Sequence, residues 1–195
     1  DLTKALNEAK AGDTITLGDD IGATESINIT ELVNLDLNGK TLTGNVNINT
    51  EASGSFNIEN GTVVGDLTVN APNATVNNAA TISGTTTIGD VADHTFNNTG
   101  TLNKVKITDP NGGSFNNKGT IKGEVTIEPS SEAKAPVVLK GNITSQVKVT
   151  GDNKPQVKVE GTVKSIEVEA SSTKLEIVDD AEITEPIIIN KPVTL

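Results

Sequence analysis

The residues able to do chemistry are few, and most of them are acids. The 195-residue chain carries 26 Asp and Glu against 15 Lys, with no Arg, one His and no Cys. Acids recur at Asp90 and Asp93, at Asp109, at Glu128 and Glu132, and at Asp152. Oxygen ligands brought together from such positions could collect calcium, which takes about six to eight of them. A weak calcium site at Asp90, Asp93, Asp109 and Asp152 is therefore the one metal expectation, and no other cofactor is expected. Neither the EF-hand spacing nor the Gly-rich nonapeptide of calcium-binding β-rolls accompanies these acids. Two adjacent pairs, Asp19–Asp20 and Asp179–Asp180, invite comparison with glycoside hydrolysis, which needs two carboxyl groups roughly 5 to 9.5 Å apart. The lone His94 can build neither a triad nor a zinc site, and it reads as an exposed corner residue.

Composition narrows the classes further. A net charge of −11 without a single Arg leaves little to neutralise phosphates, so nucleic acid is not an expected partner. No apolar run reaches the roughly 20 residues that cross a bilayer, and membrane insertion is not expected. Without Cys, disulfides and thiolate metal sites are unavailable. Hydrophobic residues make up 34% of the chain and aromatic ones 2%, so the core must consist of aliphatic side chains plus Phe56, Phe96 and Phe115, read as an internal stack. The absence of Met, even at position 1, suggests a processed form or a piece of a longer polypeptide.

What must position these residues is a repeat. A small residue, then Thr, then an aliphatic recurs as GTV at Gly61, AATI ending at Ile82, GTL at Gly100, GTI at Gly119, GNI at Gly141 and GTV at Gly161. Its middle position falls at 41, 62, 81, 101, 120, 142, 162 and 182, in steps of 19 to 22 residues. Short alternating segments flank it on both sides: FNI at Phe56, VNN at Val76 and FNN at Phe96 and Phe115 before, and LTV at Leu67, TTI at Thr86, VKI at Val105 and VTI at Val125 after. Period-two alternation marks half-buried strands. Three strands in about 20 residues leave no room for a helical crossover or a hairpin. The chain must coil, and the expected fold is all-β: one right-handed parallel β-helix of about nine coils, three short strands per coil. The corner after the third strand varies in length and collects Pro, Gly, Asn and Asp, which makes it the first candidate for a binding face.

The ends are expected to differ. Leu2, Ala5, Leu6 and Ala9 have the spacing of an amphipathic helix, so residues 1–13 are assigned as an N-terminal cap ended by Gly12, and residues 14–195 as the β-helix, continuing beyond the stretch given. Residues 14–35 align without a gap on 174–195, with Asp19 and Asp20 on Asp179 and Asp180 and Leu35 on Leu195. The two Asp pairs would then lie some eight coils apart, on the order of 40 Å at about 4.8 Å per coil, too far to cooperate, and each reads as a solvated corner. The last strand opens a coil that is not completed. Val193, Thr194 and Leu195 at one end, with Leu2 and Leu6 at the other, are the candidate end-stacking surface. Asn78, Asn98 and Asn117 suggest a three-rung amide ladder, and the Thr file is too irregular for an ice-binding face.

The helix followed by AGDTITL and NLDLNGKTLTG resembles the N-terminal cap and first coils of the pectate-lyase-like right-handed β-helix superfamily, especially the β-helical regions of Gram-positive bacterial surface proteins. The resemblance covers essentially the whole chain and implies architecture more than activity. The lyases of that superfamily place Arg or Lys beside calcium-binding carboxylates, and the polygalacturonases cluster Asp with His. This chain has no Arg, and its Lys residues fall singly on outward strand positions. The leading expectation is therefore a non-catalytic structural or adhesive segment of a secreted or cell-surface bacterial protein. Its partners would be the remainder of a larger polypeptide, with a host or cell-wall ligand as a further one. A polysaccharide-active enzyme or carbohydrate-binding module, and a head-to-tail fibre subunit, are the alternatives.

Overall fold

Residues 1–195 are all described by a computed structural model. Beyond one helix at Leu2–Glu8 the chain forms 23 short strands, and neighbouring strands pair parallel with partners roughly 20 residues away. Three strands make one circuit. In the first coil they are Thr14–Thr16, Ile21–Gly22 and Ile27–Ile29, and the next strand, Asn34–Asp36, lies over the first with Thr14 opposite Asn34 and Ile15 opposite Leu35. The third-strand stack is unbroken. Asn28, Asn47, Thr68, Thr87, Lys106, Thr126, Lys148, Glu167 and Ile188 form one column of nine rungs. Eight steps of about 4.8 Å give a span of about 38 Å.

Alternation puts one aliphatic set inside, where 44 buried residues form a single continuous cluster. Phe96 and Phe115 stack with ring centres 5.9 Å apart. Val76 separates Phe56 from Phe96 in that column, so the aromatic file is a pair plus a single ring. The small residue of the recurrent motif has a steric cause. A methyl on Gly119 would overlap the Gly100 carbonyl oxygen, and one on Gly161 would overlap that of Gly141. At Gly100, Gly119 and Gly161 neighbouring coils touch backbone to backbone, and there the absence of a side chain lets them.

The cap differs from the expectation at its end. Asp1 Oδ1 accepts from the Thr3 and Lys4 amides and starts the helix, and Leu2 and Leu6 bury against the first coil. The helix stops at Ala9, whose backbone is extended (ψ 154), and not at Gly12. Gly12 (φ 86) instead turns the chain into the first strand, its N–H donating to Leu32 O at 2.8 Å. Leu2 and Leu6 belong to the same core cluster as the coils, so helix and solenoid are one body.

The gapless alignment of the two ends is also corrected. It matches the stack at the third strand, where Ile27 and Ile29 occupy the columns of Ile187 and Ile189. At the first strand it slips. Leu35 stands in the column of Ile58 and Asn78, whereas Leu195 follows Val193 and Thr194 in the register of Leu175, Val157 and Val137. The turn from Ile29 to Leu35 is shorter than its counterparts, which shifts where the next strand begins.

Candidate functional site

The variable corner is the first candidate for a binding face. There the turn after Ile88 meets the turn after Ile107 of the next coil. Asp109 is buried, with 1% of its surface exposed, and both carboxylate oxygens accept backbone amides: Oδ2 from Val91 on the coil below and Oδ1 from Asn111, each at 2.8 Å. Asp90 works alongside it, accepting from Ala92 N at 2.8 Å and from Asn111 Nδ2 at 3.3 Å. Burial pushes the Asp109 carboxyl up to about 6, the amides of Val91 and Asn111 oppose that, and the nearby Asp90 adds to it. These acids tie two turns together.

The four expected calcium ligands do not converge, and no cluster of three or more acidic or His side chains able to hold a metal forms. The reason is directional. Asp109 spends its oxygens on backbone amides, Asp93 points to solvent with its Oδ1 3.1 Å from His94 Nδ1, and Asp152 is exposed three coils above Asp90. The approach of Asp93 to His94 is a contact by distance without hydrogen-bond geometry, so the buried Nδ1 of the half-buried His94 has no hydrogen-bond partner.

Two amide ladders run side by side along the first-strand stack. The inner one is the expected one: Asn78 Nδ2 donates to Asn98 Oδ1 at 2.9 Å, Asn98 to Asn117 at 2.8 Å, and Asn117 onward to the Asn142 carbonyl at 2.7 Å. Each also donates to the carbonyl two residues on, Ala80, Gly100 and Gly119, so both amide hydrogens are used inside the core. The outer ladder was not anticipated. Asn57 donates to Asn34, Asn77 to Asn57, Asn97 to Asn77 and Asn116 to Asn97, at 2.5 to 3.0 Å. Its signal lay in the doubled Asn of VNN and FNN, whose first member faces outward by simple alternation. Beside it run Ser55, Thr75, Thr95 and Ser114, and across the corner the in-register file Thr41, Thr62, Thr81, Thr101 and Thr120. The rows from Thr75 to Ser83 and from Thr95 to Asn103 contain no charged residue. The result is a neutral strip of amides and hydroxyls on a chain of net charge −11.

Toward the C-terminal end the outward positions become charged, and the lysines that looked solitary pair across coils. Lys106 meets Glu128 at 3.5 Å, Lys140 meets Glu160 at 3.7 Å, Lys148 meets Glu169 at 3.2 Å and Lys154 meets Glu132 at 2.9 Å. The hydrogen bond from Lys148 to Glu169 raises the Lys148 ammonium above its ordinary value. Asp19, Asp179 and Asp180 are exposed corner residues as expected, and Asp20 alone does more. Asp20 Oδ1 accepts from the Thr41 amide on the next coil at 2.7 Å, so it stitches coils one and two.

The candidate end-stacking residues separate into two kinds. Leu2 and Leu6 are already covered within the chain, which removes them from a free surface. Leu195 is 84% exposed, and Ile188 and Ile189 of the last third strand are 47% and 45% exposed. Comparison with protein-family models, with curated proteins and with solved structures gave no match for the chain.

Proposed function

We propose that the chain is a rigid, non-catalytic spacer segment of a larger bacterial surface protein, akin to the β-helical regions of Gram-positive surface proteins within the pectate-lyase-like superfamily, and that it works outside the cell. The observation that carries this reading is the nine-rung column from Asn28 to Ile188. Hydrogen bonds along the axis and one uninterrupted core make bending cost pairing and packing in several coils at once. Inter-coil ion pairs and amide ladders add further ties along the same axis. The test pairs small-angle scattering with a polysaccharide panel incubated with and without calcium. A monodisperse rod about 43 Å long, from nine coils at about 4.8 Å, with no new reducing or unsaturated ends, is expected. Turnover of any polysaccharide would overturn the reading.

The neutral strip supports a second, adhesive reading. Asn77 and Asn97 each spend one N–H on the ladder and keep another, so a short row of amide and hydroxyl groups repeats over these coils, suited to an uncharged, hydroxyl-rich polymer. Binding to immobilised neutral glycans that Asn77→Ala and Asn97→Ala abolish would favour it. Binding unchanged in those variants would exclude the strip.

A further inference from the structure

Three Asn–Gly pairs stand at corners of the stack: Asn38–Gly39, Asn60–Gly61 and Asn111–Gly112. Such a pair carries its own reaction, because the amide nitrogen of a glycine, unshielded by a Cβ, can reach the side-chain carbonyl carbon of the asparagine before it. The fold treats the three differently. Asn38–Gly39 lies in a turn closed by the Lys40 amide on Leu37 O at 2.8 Å, and Gly39 N–H donates to Asn60 O on the coil above at 2.5 Å. Asn38 Nδ2 is also held, by Leu17 O on the coil below at 3.0 Å. Asn60 gives its Nδ2 to Asp36 Oδ1 at 3.1 Å, and a Cβ on Gly61 would stand 2.4 Å from Leu37 Cβ and 2.5 Å from Lys40 O. Both pairs are locked between coils. Gly112 is looser: the nearest atom to a Cβ there would be Pro136 O at 2.9 Å, and its N–H, in a turn outside the strands, has no acceptor in the chain. Gly112 (φ 93) and Gly113 (φ 89) follow one another, and two successive glycines leave this backbone free to rotate.

We propose that Asn111 is a self-modification site, which converts to aspartate and isoaspartate without an enzyme and so acts as a timed switch on the contact between two coils. The Gly112 nitrogen gives its proton to hydroxide and attacks Asn111 Cγ. The N–Cγ bond forms, the Cγ–Nδ2 bond breaks, and Nδ2 takes up a proton from water and leaves as ammonia. Water then opens the succinimide ring at one carbonyl or the other. One amide and one water become one acid and one ammonia, with no oxidant or reductant. The product reverses an existing contact. Asn111 Nδ2 donates to Asp90 Oδ2 at 3.3 Å, a bond between turns of successive coils, and Asp109 accepts the Asn111 amide beside it. A carboxylate in place of that side-chain amide faces Asp90, and like charges so close oppose each other. The ageing chain thereby loses a tie at the variable corner. The inference does not depend on the spacer reading, since a β-helix of any function with this corner would carry the same site.

The experiment holds the full chain folded at slightly alkaline pH, and in parallel unfolded in urea, while peptide mapping that separates aspartate from isoaspartate follows all three pairs. The urea rates give each pair's reactivity free of the fold. In the folded chain Asn111 is expected to convert within about threefold of its urea rate, whereas Asn38 and Asn60 slow by about tenfold or more. The Asn111→Asp variant reads the consequence: hydrogen exchange of the Val91 and Ala92 amides, which donate to Asp109 and Asp90, should quicken by about tenfold. Asn111 slowed as much as either of the other asparagines overturns the site. Unchanged exchange in Asn111→Asp overturns the switch.

Discussion

Thr86 is the most instructive single position. It lies inside the third-strand stack, between Leu67 below and Val105 above, and none of its surface is exposed. Its hydroxyl oxygen is buried without a hydrogen-bond partner. Such a group carries a desolvation cost of about 1–3 kcal/mol that nothing repays. Thr86→Val keeps the β-branched shape suited to a strand and replaces the hydroxyl with a methyl. Stabilisation by about 1–2 kcal/mol is expected, a shift of about 0.5 M in the urea midpoint if the slope is about 3 kcal/mol/M. Because neighbouring coils unfold cooperatively, a local gain registers in the whole transition. Thr86→Ser serves as the opposite perturbation: it keeps the hydroxyl and deletes a methyl, and it should cost about 1 kcal/mol. An unchanged or lowered midpoint for Thr86→Val would refute the claim that this hydroxyl is unpaired in an apolar column.

Three further predictions concern the ladder, the glycine corner and the buried acid. Asn98→Ala strips partners from Asn78 and Asn117 inside the core and should cost about 2–4 kcal/mol by urea denaturation, whereas Asn97→Ala on the outer ladder should cost under about 1 kcal/mol. Gly119→Ala drives a methyl into the Gly100 carbonyl and should destabilise by about 3 kcal/mol or more; a neutral effect in thermal melts would mean that the coils are not in backbone contact there. Asp109, raised from 3.8 to about 6, stabilises the folded chain fully below pH 3.8 and loses that contribution as pH rises toward and through 6. The stability of the native chain relative to Asp109→Asn should therefore fall by up to about 3 kcal/mol between pH 4 and pH 7, and a flat difference across that window would contradict the burial.

The stack was legible because its cause is periodic. Small-Thr-aliphatic at 19 to 22 residues can be satisfied only by coils, and the inward Val, Ile, Leu and Phe followed from alternation. The inner ladder was legible for the same reason. What escaped were features fixed between coils rather than along the chain. Asp109 sits in a turn with ordinary turn composition, TDPNGG, which accounts for its local bond from the Asn111 amide, but nothing in that string says that its other oxygen faces the Val91 amide on the coil below. The calcium expectation failed on the same point, since stacking acids by residue number says nothing about where their side chains aim. The end alignment misled through turn length: six residues from Ile29 reach one column, and six from Ile189 reach another.

The central claim is that residues about twenty apart stand as successive rungs of one straight stack, and electron–electron distance measurements between spin labels test it most directly. With no Cys in the chain, labels can be placed by substitution at Asn28 together with Lys106, Lys148 or Glu167, which lie four, six and seven rungs above it. Allowing the same label contribution for each pair, separations near 19, 29 and 34 Å, rising linearly with rung number at about 4.8 Å per rung, are predicted. Distances that do not grow in that order, or that fold back as they would across antiparallel hairpins, would contradict the stack and every functional statement built on it.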